Sequence, residues 1–119
     1  LLMNYPKSMI SCVCKLIGGF AARLGSDLLE SEWAAGHAGE LGTSVLQYLA
    51  EEYVNHQAMQ DFIPPNDPWA SGITRYISYR QVTPSGVLGV PTAGTREKGK
   101  IIVQRCVDAI VREAKAFFG

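Results

Sequence analysis

The stretch WAAGHAGELGTS, Trp33–Ser44, decides how this 119-residue chain is interpreted. It places an imidazole, His37, in a glycine-containing turn directly before an amphipathic segment. Small neighbours allow a tight backbone turn and leave the ring accessible. Imidazole changes its charge near neutral pH, so a histidine on such a turn is a candidate for moving protons in catalysis. A helix cap or a surface group is the alternative interpretation, and the spacing leaves both open.

The composition is typical of one ordinary globular domain, with 47% hydrophobic and 18% charged residues. The 11 basic and 11 acidic side chains cancel, and no basic stripe interleaves with aromatics, so nucleic acid is not an expected partner. No apolar run approaches the roughly 18 residues of a membrane span, and no signal peptide is recognisable. The three cysteines, an odd count, are best explained as reduced thiols, which are typical of cytoplasmic proteins. We therefore expect a cytoplasmic protein and, in the absence of an apolar span, no membrane contacts.

Hydrophobic periodicity predicts helices separated by turns and short extended segments. The predicted helices run from about Met9 to Leu24, from about Glu40 to Tyr53, and from the N-cap Thr95 to the C-terminus. Leu1–Met3 is typical of the end of a buried strand, and Ile73–Val82 of a weak strand. The predicted apolar stripes are Leu41, Val45, Leu49 and Tyr53 in the second helix, and Ile102 or Val103, Cys106, Val107, Ile110, Ala114, Phe117 and Phe118 in the last.

Two motifs, and the order in which they follow one another, resemble the C-terminal half of the creatininase-type amidohydrolases. The first is Gly36–Glu40 with Thr43–Ser44, and the second is Gly86–Thr92 with Glu97–Gly99. Each motif precedes a predicted helix, as it does in the family. The resemblance covers roughly residues 33–119.

The resemblance implies an α/β fold in which helices cover both faces of a mostly parallel sheet, with residues 1–119 as a single, incomplete domain. It implies hydrolysis of a small, often cyclic, amide at a two-metal site holding zinc or manganese, and assembly into ring-like homo-oligomers. By the same resemblance His37 is the general acid/base, Trp33 covers the small-molecule substrate, and Gly36 lies where creatininase itself makes an acidic substrate contact.

The sequence also departs from the family where metal ligands are expected. Asn4 runs directly into Tyr5-Pro6, without the family's histidine and carboxylate, and Gly42 stands where the family often has a glutamate. Glu40 is a candidate ligand, although a carboxylate in a helix's first turn is more simply stabilised by the helix dipole. Two interpretations stay open: part of an active hydrolase, or a non-catalytic structural or interaction subunit of the same fold.

Overall fold

The computed structural model describes residues 19–73 and 76–119. Within these ranges residues 19–24 are helical (α1), followed by α2 (Glu40–Leu49), α3 (Tyr79–Val82) and α4 (Arg96–Phe118). Single 3₁₀ turns cover Glu51–Tyr53, His56–Ala58 and Pro91–Ala93. The core forms where α2 packs against α4.

The expected α/β layered fold on a parallel sheet is wrong for the part of the chain that the structure describes. Pairing there is limited to one isolated antiparallel bridge, between Phe62 and Gly89. The weak strand predicted over Ile73–Val82 ends instead in the helical turn α3. Ser78 and Gln81 form a capping box around its start, which supplies backbone partners that a strand would have taken from a neighbour. The predicted strand end at Leu1–Met3 lies outside the described residues.

Helix α2 begins at Glu40 as predicted but ends at Leu49, because Ala50 leaves helical geometry (φ −158°, ψ 58°). Its predicted apolar stripe is only partly correct. Leu41 is buried, but Leu49 and Tyr53 are 62% and 77% exposed. The buried face is largely polar instead, and consists of Glu40, Leu41, Ser44 and Gln47.

Polar groups lie between α2 and α4 because they connect the two helices. The Ser44 Oγ accepts a hydrogen bond from the backbone nitrogen of Thr95 at 3.1 Å, and the Gln47 carbonyl accepts one from Arg96 at 3.1 Å. These bonds satisfy an amide next to the start of α4 and a carbonyl near the end of α2, both of which helices leave without internal partners. The interface therefore depends on hydrogen bonds as well as on apolar burial.

Helix α4 confirms the prediction that Thr95 caps a long C-terminal helix. The Thr95 hydroxyl accepts a hydrogen bond from the Lys98 backbone nitrogen at 3.2 Å. Gly99, Ile102 and Ala109 are its buried residues. The predicted stripe is wrong toward the C-terminus, where Val107, Ile110, Phe117 and Phe118 are all more than 45% exposed.

The residues after α1 are held against α4. Helix α1 ends at Leu24, before Gly25 as predicted, and the rest of the predicted helix from Met9 lies outside the described residues. Arg105 donates to the Leu24 carbonyl at 2.8 Å and pairs with the Asp27 carboxylate. Cys106 is a half-buried free thiol, and burial raises its pKa. Across the described ranges, every helix is either too short or too polar to cross a bilayer.

Candidate functional site

The turn that carries His37 is built from two successive backbone hydrogen bonds. Gly36 N donates to the Trp33 carbonyl at 2.7 Å, and Gly39 N donates to the Gly36 carbonyl at 3.0 Å. Leu41 N then reaches back to Ala34 at 2.9 Å, which joins the turn to the first residues of α2. The turn is therefore tight and continuous with the helix, as the sequence predicted.

The glycines serve close approach of backbones rather than unusual dihedral angles. A Cβ on Gly36 would overlap the Leu88 carbonyl, and one on Gly39 would lie 2.9 Å from the Trp33 carbonyl oxygen. Within this turn the residues with left-handed backbones are Trp33 (φ 57°) and Ala38 (φ 53°). For a bulky residue such as tryptophan this conformation costs of order 1–3 kcal/mol and persists only where its surroundings fix it.

The His37 ring is exposed and is held on one side. Its Nδ1 lies 2.7 Å from the Gly86 carbonyl oxygen. A carbonyl can only accept, so in the neutral ring Nδ1 carries the proton and Nε2 has a free lone pair. The backbone of the same residue is also bound, since the His37 carbonyl accepts from Leu88 N at 2.8 Å. The ring packs against Tyr79, with centroids 4.8 Å apart and planes tilted by 46°.

Trp33, the predicted substrate cover, is half-buried and packs on a second tryptophan. The ring centroids of Trp33 and Trp69 are 6.4 Å apart, and the ring planes are tilted by 48°. This is a common contact distance for an aromatic pair. The Trp69 backbone nitrogen is bound by the Asp67 carboxylate at 2.8 Å, which fixes the segment that presents the second ring.

Glu40, the candidate metal ligand, is fully buried and already bound. Its oxygens accept from Glu30 N at 3.1 Å, from Ser31 N at 2.8 Å and from the Lys98 ammonium at 2.7 Å. Burial opposes ionisation, but the hydrogen bonds from Lys98, Ser31 and Glu30 outweigh it and lower the pKa of Glu40. Both oxygens of the buried carboxylate are taken up by these donors, so Glu40 as placed here fits an ion pair with Lys98 and not a metal ligand.

Three further side chains of types that bind metals, His56, Asp61 and Asp67, are dispersed and bonded to other residues. His56 Nε2 lies 2.6 Å from Glu51, Asp61 binds the Thr92 hydroxyl at 2.6 Å, and Asp67 binds Trp69 as described above. Within residues 19–73 and 76–119 the structure brings together no group of three or more His, Cys, Asp or Glu that could hold a metal ion. The described side chains therefore do not fit the dinuclear centre that the resemblance implies.

Two of the contacts at His37 were not predicted from the sequence. Gly86 and Tyr79 are separated from it by more than forty residues, and no local pattern connects them to an imidazole. Gly86, the first residue of the second motif, lies in a bend outside the helices and has a left-handed backbone (φ 90°). Tyr79 was expected on one face of a strand, so its position beside the ring depends on the capped turn α3.

A family relationship covers most of the chain. Residues 8–114 match the creatininase family, described as creatinine amidohydrolase. The chain belongs to this family, whose members are amidohydrolases, and the resemblance drawn from the His37 turn is thereby confirmed. No curated protein and no solved structure matches the chain significantly.

Proposed function

We propose that this chain supplies the proton-transfer residue of an amide hydrolase that acts on a small, often cyclic, amide. The observation that carries the proposal is the contact between His37 Nδ1 and the Gly86 carbonyl at 2.7 Å. This contact leaves Nε2 as an exposed base on a fixed turn. A general base needs both a defined position and a free lone pair, and His37 has both.

The chemistry assigned to His37 is a proton relay. Nε2 removes a proton from a water molecule as the water oxygen adds to the amide carbon. The protonated ring then returns that proton to the amide nitrogen, and the C–N bond breaks to give a carboxylic acid and an amine. In the intervening imidazolium both nitrogens are donors, and Nδ1 keeps its bond to Gly86 throughout. Trp33 covers the substrate, and the backbone of Gly36, packed against the Leu88 carbonyl, lies in the turn beside it.

The family is generally metal-dependent, and we propose zinc or manganese for the complete site. The described residues do not supply its ligands, since Glu40 is bound to Lys98 and the remaining candidates are dispersed. Ligands would have to come from other residues.

The experiment compares His37→Gln with His56→Gln in the purified protein supplied with zinc or manganese. Creatinine and a panel of other small cyclic amides serve as substrates. Loss of a general acid/base typically lowers the rate about 100-fold or more, and we expect this for His37→Gln. His56, whose side chain is 54% exposed and bound to Glu51, is the matched control and should keep full turnover. Full turnover by His37→Gln would exclude the proposed role.

The second candidate is a non-catalytic structural or interaction subunit of the same fold. The saturation of Glu40 by Lys98 and two backbone amides favours it. The same experiment separates the two candidates. A folded protein that takes up no stoichiometric metal and hydrolyses none of the amides supports the subunit role. In either case we propose that the chain assembles with copies of itself. As a hydrolase it also binds its small-molecule substrate.

A further inference from the structure

We propose that Tyr79 is a positioning residue for His37: its ring holds the imidazole in the orientation that keeps Nδ1 on the Gly86 carbonyl and Nε2 free. This inference rests on the proton-transfer role proposed for His37. It goes further because it assigns a second contact, besides the hydrogen bond to Gly86, that fixes the imidazole ring. Tyr79, which makes this contact, lies outside both family motifs.

The two contacts restrain different motions of the imidazole. The hydrogen bond to Gly86 at 2.7 Å fixes one atom, Nδ1, but still permits the ring to tilt about that point. The Tyr79 ring, with its centroid 4.8 Å away and its plane tilted by 46°, packs against one side of the imidazole. Because His37 is otherwise exposed, removal of the tyrosine ring leaves solvent on that side. The imidazole can then turn away, and either nitrogen can carry the proton.

Tyr79 can act in this way because the turn that carries it is itself well anchored. The Ser78 backbone nitrogen donates to the Gln81 side chain at 3.1 Å, and Thr83 N donates to the Tyr79 carbonyl at 2.8 Å. Thr83 is only 3% exposed, so the chain is tied to the interior directly after α3. Tyr79 is itself 49% exposed, which shows that its ring is not needed to fill the core.

The test uses nitrogen-15 NMR of the two histidine rings, which reports the tautomer without any substrate. Spectra are recorded at alkaline pH, where imidazole is neutral. A His56→Gln background leaves His37 as the only histidine and assigns its signals. The variants are Tyr79→Phe, which keeps the ring, and Tyr79→Leu and Tyr79→Met, which remove it. Tyr76→Leu is the matched control, because Tyr76 is 94% exposed.

We expect the wild type, Tyr79→Phe and Tyr76→Leu to show the proton on Nδ1 of His37. Tyr79→Leu and Tyr79→Met should show a mixture of tautomers. With an accepted substrate, kcat of the two ring-removing variants should fall about 10-fold with little change in KM, and Tyr79→Phe should restore it. The methionine variant provides the test if the leucine variant does not fold.

A wild-type tautomer in both folded ring-removing variants would overturn the positioning role. A mixed tautomer combined with no hydrolysis by the wild type supports the positioning role and rejects the proposed function. The two ideas can therefore fail separately. A kcat loss in Tyr79→Phe equal to that in Tyr79→Leu would also contradict the inference, because it would assign the effect to the hydroxyl rather than to the ring.

Discussion

The carboxylate of Glu40 and the ammonium of Lys98 lie 2.7 Å apart, in an ion pair that joins the first turn of α2 to the first turn of α4. The Glu40 side chain is completely buried, and that of Lys98 is 17% exposed. Lys98 also reaches the exposed Glu30 carboxylate at 3.0 Å and the Ala93 carbonyl at 3.2 Å. Because Glu40 lies three residues after His37, this network fixes the position at which the His37 turn ends and α2 begins.

Glu40→Gln should destabilise the protein far more than Glu30→Gln. The first change leaves Lys98 without its buried partner, and breaking a buried ion pair costs about 3 kcal/mol or more. The Glu30 side chain is 79% exposed, so the second change should cost about 1 kcal/mol or less. Urea unfolding of both variants measures the difference. Equal losses in the two variants would show that the buried pair contributes no more than the exposed one.

Stability should decline at both ends of the pH scale because of the same pair. The pKa of Glu40 is lowered from its ordinary 4.5, so its contribution is complete above that value and is lost as pH falls through the folded-state pKa. Hydrogen bonding to Glu40 raises the pKa of Lys98 from 10.5, so its contribution is complete below that value and is lost as pH rises through the folded-state pKa. Urea midpoints across pH record both declines.

The pH experiment needs a control, because Asp27 titrates in the same acid range. Its pKa is lowered from 3.8 by hydrogen bonding to Arg105. The difference between wild type and Glu40→Gln therefore isolates the part that belongs to Glu40. Parallel acid declines in the two proteins would mean that Glu40 does not contribute.

Gly99→Ala should destabilise the protein, whereas Gly42→Ala should not. A Cβ on Gly99 would overlap the Ser44 carbonyl, so α4 would have to move away from α2, at a cost of about 2 kcal/mol. Gly42 has nothing within 4 Å of its Cβ position and lies within α2, where alanine is favoured by up to about 1 kcal/mol. Thermal unfolding of the two variants compares them directly. A stable Gly99→Ala protein would contradict the close approach of the helices.

The electronic transitions of Trp33 and Trp69 should couple in circular dichroism, because the two ring centroids lie 6.4 Å apart. They are the two tryptophans of the chain, so the signal can be assigned to this pair. The variants Trp33→Phe and Trp69→Phe each leave one tryptophan. We expect the near-ultraviolet circular dichroism of the wild type to differ from the sum of the single-tryptophan spectra in the folded state, after the spectrum of the Trp33→Phe/Trp69→Phe double variant, which carries the tyrosine contribution, is subtracted from each. The same comparison in denaturant should be additive. Additivity in the folded state as well would show that the two rings do not interact.

The C-terminal half of α4 should mediate self-association. Ile110, Phe117 and Phe118 are 60%, 82% and 83% exposed, which is unusual for large apolar side chains on one helix. We expect sedimentation velocity to give a mass above the 12.9 kDa monomer, and a Phe117→Ser/Phe118→Ser double variant to lower it. Tyr76→Ser, an exposed aromatic change away from α4, is the control and should leave the mass unchanged. A monodisperse wild-type monomer would count against this expectation.

Short-range features of this fold could be predicted from the sequence, because neighbouring residues determine them. The Thr95 cap, the length of α4, the end of α1 before Gly25 and the start of α2 at Glu40 all follow from local signals. The role of Glu40 did not follow in the same way. The position of Glu40 in the first turn suggested that the helix dipole stabilises its carboxylate. Its actual partner, Lys98, is 58 residues away in sequence, and no local pattern shows that the two side chains meet in space.

The wrong strand and the wrong buried face of α2 have one physical origin: both depend on hydrogen bonds that form only in the folded chain. Alternation over Ile73–Val82 predicted a strand, but a strand needs a neighbour, and Ser78 and Gln81 satisfy the local backbone within a turn. Apolar spacing in α2 predicted which face is buried, but the side-chain hydrogen bonds of Glu40 and Ser44 to the start of α4 turn a polar face inward. The His37 turn was recognised from its residues, whereas its partners Tyr79 and Gly86 required the folded chain.

The hydrogen bond from Leu88 N to the His37 carbonyl, at 2.8 Å, joins the segment that contains Gly86 and Leu88 to the His37 turn. Exchange of the Leu88 amide hydrogen therefore reports whether this contact is intact. Leu88 is 2% exposed, so its amide hydrogen exchanges with solvent only when this segment and the turn separate. That opening also moves Gly86, whose carbonyl accepts the hydrogen bond from Nδ1. The protection factor of the Leu88 amide therefore measures the fraction of molecules in which the His37 ring is held for proton transfer.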